Sequence, residues 1–218
     1  MFPLIFPKRL LFRFAADCRK APKGWPEKSA ALPEEYRLPD FSELEGDRSS
    51  SCDFRLAWSE LGLGFSLSVT GKKRLPMCRL SQPDDCEGIQ LWIDTRDVHN
   101  VHRATKYCHR FLFAPSGGGA SDTEPGVLWL PIRGARENPN RIASEKIRIQ
   151  AVCRKDGYEI NGYIPAEALS GYDPSEHAML GFHYAIRDRE LGELTWTAGS
   201  PLPHEEDPSL WGSLRLIS

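Results

Sequence analysis

Gln90, Trp92 and Arg110 are the side chains of this sequence best suited to holding a polar ligand. Gln90 and Trp92 stand two apart in Ile89–Asp94, a run that alternates apolar and polar residues, and residues two apart in a strand share a face. Asp94 closes the same face. Arg110 lies in a second alternating run, Tyr107–Phe113, out of phase with Tyr107, His109, Phe111 and Phe113. If those aromatic residues enter the core, Arg110 shares the polar face with Gln90 and Trp92. An indole offers a flat π surface to the C–H bonds of a sugar ring. An amide and a guanidinium offer donors and acceptors to its hydroxyls. The expected site is therefore Gln90, Trp92, Asp94 and Arg110, and the expected ligand is a saccharide or a similar small polar molecule. The competing reading packs Trp92 under a loop, as most tryptophans are packed.

Other residues of the same stretch invite a metal. His99, His102, Cys108 and His109 offer the nitrogen and sulfur ligands that zinc accepts. However, Cys108 and His109 are neighbours on a strand and point to opposite faces, and the spacing fits no metal motif. Solvated loop positions for His99 and His102 and a core position for His109 are the simpler account, and no metal or other cofactor is expected. Asp188, Arg189, Glu190 and Glu193 crowd a turn. Paired carboxylates can do acid–base work on a glycoside, but a solvated turn with local ion pairs is the simpler account of them. No G-x-S-x-G, H-E-x-x-H or phosphate-loop motif is present, so a non-catalytic role is expected.

The elements that must position these residues are strands. Phe54, Leu56 and Trp58 alternate, then Phe65, Leu67 and Val69 alternate beyond a glycine-flanked turn, which predicts a hairpin with one wet face. Ile89–Asp94 and Tyr107–Phe113 follow, with a charged crossing between them. Ser116–Gly119 reads as a flexible loop and Val127–Ile132 as a strand. Gly134–Ser144 reads as a loop or one helical turn. Ile147–Cys153 and Tyr158–Ile164 flank the hairpin signal Asp156-Gly157. Pro165 opens a single helical turn, and strands follow over Leu180–Ile186, Leu194–Thr197 and Leu214–Ile217. Near the N-terminus, Leu11–Ala15 reads as an early strand. Residues 18–51, including the lone Trp25, form a proline-rich arm. This pattern predicts an all-β protein: one antiparallel β-sandwich, jelly-roll-like, with the arm over residues 1–51 and the core over 52–218.

Composition narrows the partners. The 218 residues carry 28 basic and 30 acidic side chains, a net charge of −2, with no basic excess of the kind nucleic acid requires. No apolar run reaches the length of a membrane helix. The apolar N-terminus has its charges, Lys8 and Arg9, after the apolar residues and not before them, so a cytoplasmic location is expected. The six cysteines include no C-x-x-C pair and are expected to be reduced thiols. Cys78 and Cys86, flanking a short polar loop, are the pair that an oxidising compartment would join.

Several blocks taken in order resemble the family 9 carbohydrate-binding modules and their DOMON-like relatives: FRLAWSELGLGFSLSV, EGIQLWID, DGYEINGYIPAEAL, LGFHYAIRD with LTWT, and DPSLWGSLRL. The resemblance spans about Trp25 to Leu216 and implies a jelly-roll sandwich that binds sugar without catalysis. It also implies a terminal sugar clamped between two tryptophans, one just before the EGIQLWID-type strand and one just before the DPS block. This chain carries Asp84 at the first place and His204 or Glu205 at the second. Where members carry an aspartate associated with structural calcium, this chain has Gly71, Lys72 and Lys73. Gln90 and Arg110 keep the residue types the resemblance calls for. A chain that kept the fold and lost the clamp would be a structural domain with a protein partner, which is the alternative expectation.

Overall fold

The computed structural model describes residues 12–23, 31–40, 51–140 and 146–218. Among them are eleven strands, short 3-10 turns and no α-helix. The strands are β1 (Ala15–Lys20), β2 (Cys52–Ser59), β3 (Gly62–Thr70), β4 (Gly88–Asp94), β5 (Cys108–Gly118) and β6 (Glu124–Leu130). They continue as β7 (Arg148–Arg154), β8 (Gly157–Pro165), β9 (Met179–Asp188), β10 (Gly192–Thr195) and β11 (Gly212–Ile217). Their hydrogen-bonded order is β6-β5-β4-β9-β11-β1-β2-β3-β8-β7, with β10 on β9.

This path folds over on itself. Phe54 of β2 packs against Phe182 and Tyr184 of β9, with ring centroids 6.2 and 4.5 Å apart. Phe65 of β3 meets Phe113 of β5 edge to face at 4.8 Å. Gly162 of β8 makes room for that pair, because a Cβ there would lie 2.2 Å from the Phe65 ring. The result is an all-β sandwich whose core is filled by the inward residues of both layers, Ile89, Leu91 and Ile93 of β4 among them.

The sheet is mixed, which corrects the purely antiparallel expectation. β1 runs parallel to both β11 and β2, and so joins the two layers. The early strand begins at Ala15, four residues later than expected, and Leu11 and Trp25 lie outside the described residues. The arm is partly structural: Leu32 and Tyr36 are buried against Ala57. The Leu32 amide donates to Ser66 Oγ at 2.8 Å on the hairpin face expected to be wet. Ser116–Gly118 is strand and not loop, with an irregular register between Ala114 and Gly118. The helical turn after Pro165 is a 3-10 turn, Ala166–Ala168. Residues 141–145 of the expected Gly134–Ser144 loop are outside the described set. Cys78 and Cys86 are disulfide-bonded, which corrects the all-thiol expectation, while Cys18, Cys52, Cys108 and Cys153 keep their thiols.

His109 on β5 faces the core, as its phase predicts, and is buried. Burial pushes its imidazole down to about 4, against a smaller opposing effect of the Ser170 backbone. An unfolded histidine titrates near 6.5, so between about 6.5 and 4 the unfolded chain binds a proton that the fold refuses. Stability should therefore fall as pH drops through that window, by about 3 kcal/mol for this group, and should be unaffected by it above 6.5. Urea unfolding across pH 7 to 4 should show this component in the wild type and lack it in His109→Phe. The same pH dependence in both proteins would contradict it.

Candidate functional site

The structure brings Gln90, Trp92 and Arg110 together. β4 pairs with β5 so that Trp92 lies opposite Arg110, with Gln90 on the diagonal. Arg110 Nε and Nη2 donate to Gln90 Oε1 at 2.9 and 2.6 Å. The guanidinium lies 5.2 Å from the Trp92 ring centroid, a cation–π contact. The polar side of β4 is nevertheless closed. Every residue of β4 is buried, and Ala104, Ile132, Glu205 and Trp211, from segments outside the strands, lie against Trp92 on its outer face. Trp92 packs with Ala104, Ile132, Ala185 and Trp211, and is 0% exposed. Its Nε1 donates to the Glu205 carbonyl at 3.2 Å, and Trp211 Nε1 donates to the neighbouring His204 carbonyl at 2.7 Å. The indole therefore presents no stacking surface to solvent, which corrects its expected role as a platform.

Asp94 is also committed elsewhere. Its two carboxylate oxygens accept from the Arg96 and Val98 amides at 3.0 and 2.8 Å, closing the turn after β4. Burial raises its pKa and those amides lower it, with a net rise. The histidines do not converge. His99 contacts Ser213 and Asp97, each at 2.8 Å. His102 lies 3.0 Å from Asp207 with an exposed side chain. His109 is on the opposite side of the sheet, in the core.

What reaches the surface is a charged cluster at the edge of this face. Glu205 accepts from Arg110 Nη2 at 2.8 Å through Oε2, and from Arg187 Nη2 through Oε1. Arg187 Nε donates to Glu193 at 3.1 Å. Burial lowers the pKa of Arg110, Glu205 opposes that, and the Arg187 charge adds to it, for a net lowering. Beside the cluster opens a cleft of about 310 Å³, whose walls include Asp84, Asp85, Arg187, Arg189 and Glu193. A second cleft of about 480 Å³ shares Asp85 and Arg189 with it and extends past Met77 and Gln82. No aromatic side chain lines either cleft. One ligand atom each of Glu193, His204 and Glu205 lie within 4.8 Å of one another. Both carboxylates are already held by guanidinium groups, whose charge opposes a cation at that point.

Arg187 and Glu205 join the site without having been expected there. Arg187 carried a usable signal. Phe182, Tyr184 and Ile186 enter the core, so His183, Ala185 and Arg187 must share the outer face with Gln90. Glu205 carried no signal from periodicity; only the resemblance marked it, by putting His204 or Glu205 at the place of the second clamp tryptophan.

In the turn, Arg189, Glu190 and Glu193 are exposed, as the simpler expectation has them, but Asp188 is buried, which corrects that expectation at this residue. Lys72 Nζ lies 2.8 Å from Glu87, 2.5 Å from Asp188 and 3.7 Å from Glu190. The Lys72 and Asp188 side chains are each 1% exposed. Burial acts to lower the Lys72 pKa, but Asp188 and Glu87 raise it further than burial lowers it. Burial acts to raise the Asp188 pKa, and Lys72 with the Glu190 and Leu191 amides lowers it overall. Lys72, one of the three residues that stand where the resemblance would put an aspartate, pairs its ammonium with Glu87 and Asp188.

No protein-family model matches the chain, and no curated protein matches it in sequence. Solved structures match its fold. A family 9 carbohydrate-binding module from Caldicellulosiruptor kristjanssonii in complex with cellotriose aligns with a TM-score of 0.62 at 12% identity, over 94% of each chain. A module of the same family and organism in complex with glucose aligns at 0.62 and 10% identity, over 94% of this chain and 96% of that one. A Bacteroides uniformis protein aligns at 0.56 and 11% identity, over 94% of this chain and all of that one. At these identities the likeness establishes the fold.

Proposed function

We propose that this chain, folded as family 9 carbohydrate-binding modules are, binds a saccharide non-catalytically at the cleft bordered by Asp84, Arg187 and Glu193. The observation that carries this reading is the donor array at the cleft edge. Arg187 lines the cleft, and Arg110 and Gln90 stand behind Glu205 on the same sheet face. Fixed guanidinium and carboxylate groups hydrogen-bond sugar hydroxyls, and charged partners make the stronger bonds. The two modules of like fold were solved with cellotriose and glucose, which supports a saccharide as the ligand class. Because the cleft walls hold no aromatic ring, stacking energy is absent and binding is weak, with Kd on the order of 1 mM, about 4 kcal/mol.

A glycan array followed by calorimetry tests this. Wild type should bind at least one saccharide near that affinity, and Arg187→Ala should lose about tenfold or more, since a hydrogen bond to a charged group contributes about 1.5–3 kcal/mol. The alternative, a structural domain that binds a protein partner, is favoured by the closure of the Trp92 face and by Asp84 and Glu205 standing where the resemblance calls for tryptophans. It takes over if no saccharide binds.

A further inference from the structure

We propose that the saccharide recognised by this site carries a single carboxylate, which replaces the Glu205 carboxylate between Arg110 and Arg187. This rests on the saccharide-binding reading above and names the class of sugar. Glu205 sits as a ligand would, with each carboxylate oxygen accepting from a different arginine. Both arginines are braced from behind, Arg110 by Gln90 and by the Trp92 ring, and Arg187 by Glu193. The receptor half of the contact is therefore preformed and independent of Glu205.

The Glu205 side chain can leave without moving its backbone. Its carbonyl is anchored by Trp92 Nε1 at 3.2 Å, and the preceding carbonyl by Trp211 Nε1 at 2.7 Å. The side chain itself is 29% exposed and lies in a segment without regular secondary structure. Rotation about its own bonds carries it into water.

Charge then selects the replacement. Arg110 is buried, and a buried guanidinium left without its carboxylate is strongly unfavourable. A neutral sugar cannot replace Glu205 on those terms, whereas a sugar carboxylate replaces it one for one. Gln90 adds a second requirement. Its Oε1 is used by Arg110, and its buried Nε2 has no hydrogen-bond partner, so the face holds a donor with no acceptor. A ring or hydroxyl oxygen beside the carboxylate supplies that acceptor. The exposed Asp84 and Asp85 of the cleft set an upper limit, because they repel a ligand charged along its length. The fitting ligand is a saccharide with one uronate residue and not a polyuronate.

The test is calorimetric titration of the full chain with D-glucuronate, D-glucose and acetate, using wild type, Glu205→Ala, Glu205→Gln and Arg187→Ala. Glutamine keeps the size of Glu205 and serves if the alanine variant melts. Glucuronate should bind wild type at least tenfold more tightly than glucose. Either Glu205 variant should tighten glucuronate a further tenfold, by removing the internal competitor, and Arg187→Ala should weaken it by tenfold or more. Equal binding of glucose and glucuronate would overturn the carboxylate proposal and leave the saccharide reading standing. Acetate binding a Glu205 variant as tightly as glucuronate would overturn the sugar part, reducing the arginine pair to a plain carboxylate site. No binding of either sugar to any folded variant would overturn the carboxylate proposal, and an empty glycan array beside it would overturn the saccharide reading as well.

Discussion

Replacing Lys72 with methionine should lower stability by about 3–5 kcal/mol, the range for breaking a buried ion pair by removing one partner. The ammonium is the cation shared by Glu87 and Asp188, at 2.8 and 2.5 Å, and all three side chains are buried. Methionine keeps most of the volume and the apolar stem, so the loss measured is electrostatic and not a cavity. The two buried carboxylates would be left without their shared counter-charge. Glu87 also accepts from the Met77 and Arg189 amides, and Asp188 from the Glu190 and Leu191 amides, so the loops on either side of the cleft should loosen together. Urea unfolding monitored by circular dichroism gives the number. Adding Glu87→Gln and Asp188→Asn to Lys72→Met should recover part of the loss, because it removes the unpaired charges. A Lys72→Met protein within about 1 kcal/mol of wild type would show that the cluster contributes nothing net, as many ion pairs do.

Trp92→Ala should cost about 3–5 kcal/mol, as expected for truncating a large buried aromatic residue. The indole is fully enclosed, stacks near Arg110, and anchors the Glu205 segment through Nε1. Loss of the ring empties the space between β4 and the covering loop and frees the Glu205 backbone. Trp92→Phe should cost less, because it retains the packing and loses the hydrogen bond. The effect is on stability, with ligand affinity changing only as the loop is released. An alanine variant as stable as wild type that has lost sugar binding would restore Trp92 to the role of an exposed platform.

The strands of this fold can be read from alternation because each has an inward apolar set. Ile89, Leu91 and Ile93, or Phe182, Tyr184 and Ile186, could face only the core. The same alternation placed Gln90, Trp92 and Arg110 on one face, where the structure has them. It could not show that this face is covered. Part of the cover is a segment more than a hundred residues away in sequence, and Trp92 is tied to Glu205 across a separation of 113. A polar outward residue reads the same whether water or a loop lies above it. From sequence Lys72 marks only a missing aspartate; its pairing with Asp188 is hidden there, because Asp188 lies 116 residues further on. The parallel placement of β1 was equally hidden, since pairing direction leaves no mark on a six-residue strand. The short loop between Cys78 and Cys86 marks them as a pair, but the spacing alone does not set their redox state.

The most direct test of saccharide binding at the cleft is a two-dimensional NMR titration of amide shifts with the best saccharide from the array. Shifts should cluster on residues 84–88, 187–193 and 204–206, with the side-chain Nε of Arg187 among them, and the β7 and β8 amides should stay still. Saturable shifts centred elsewhere on the sandwich, or none with any saccharide at millimolar concentration, would contradict it.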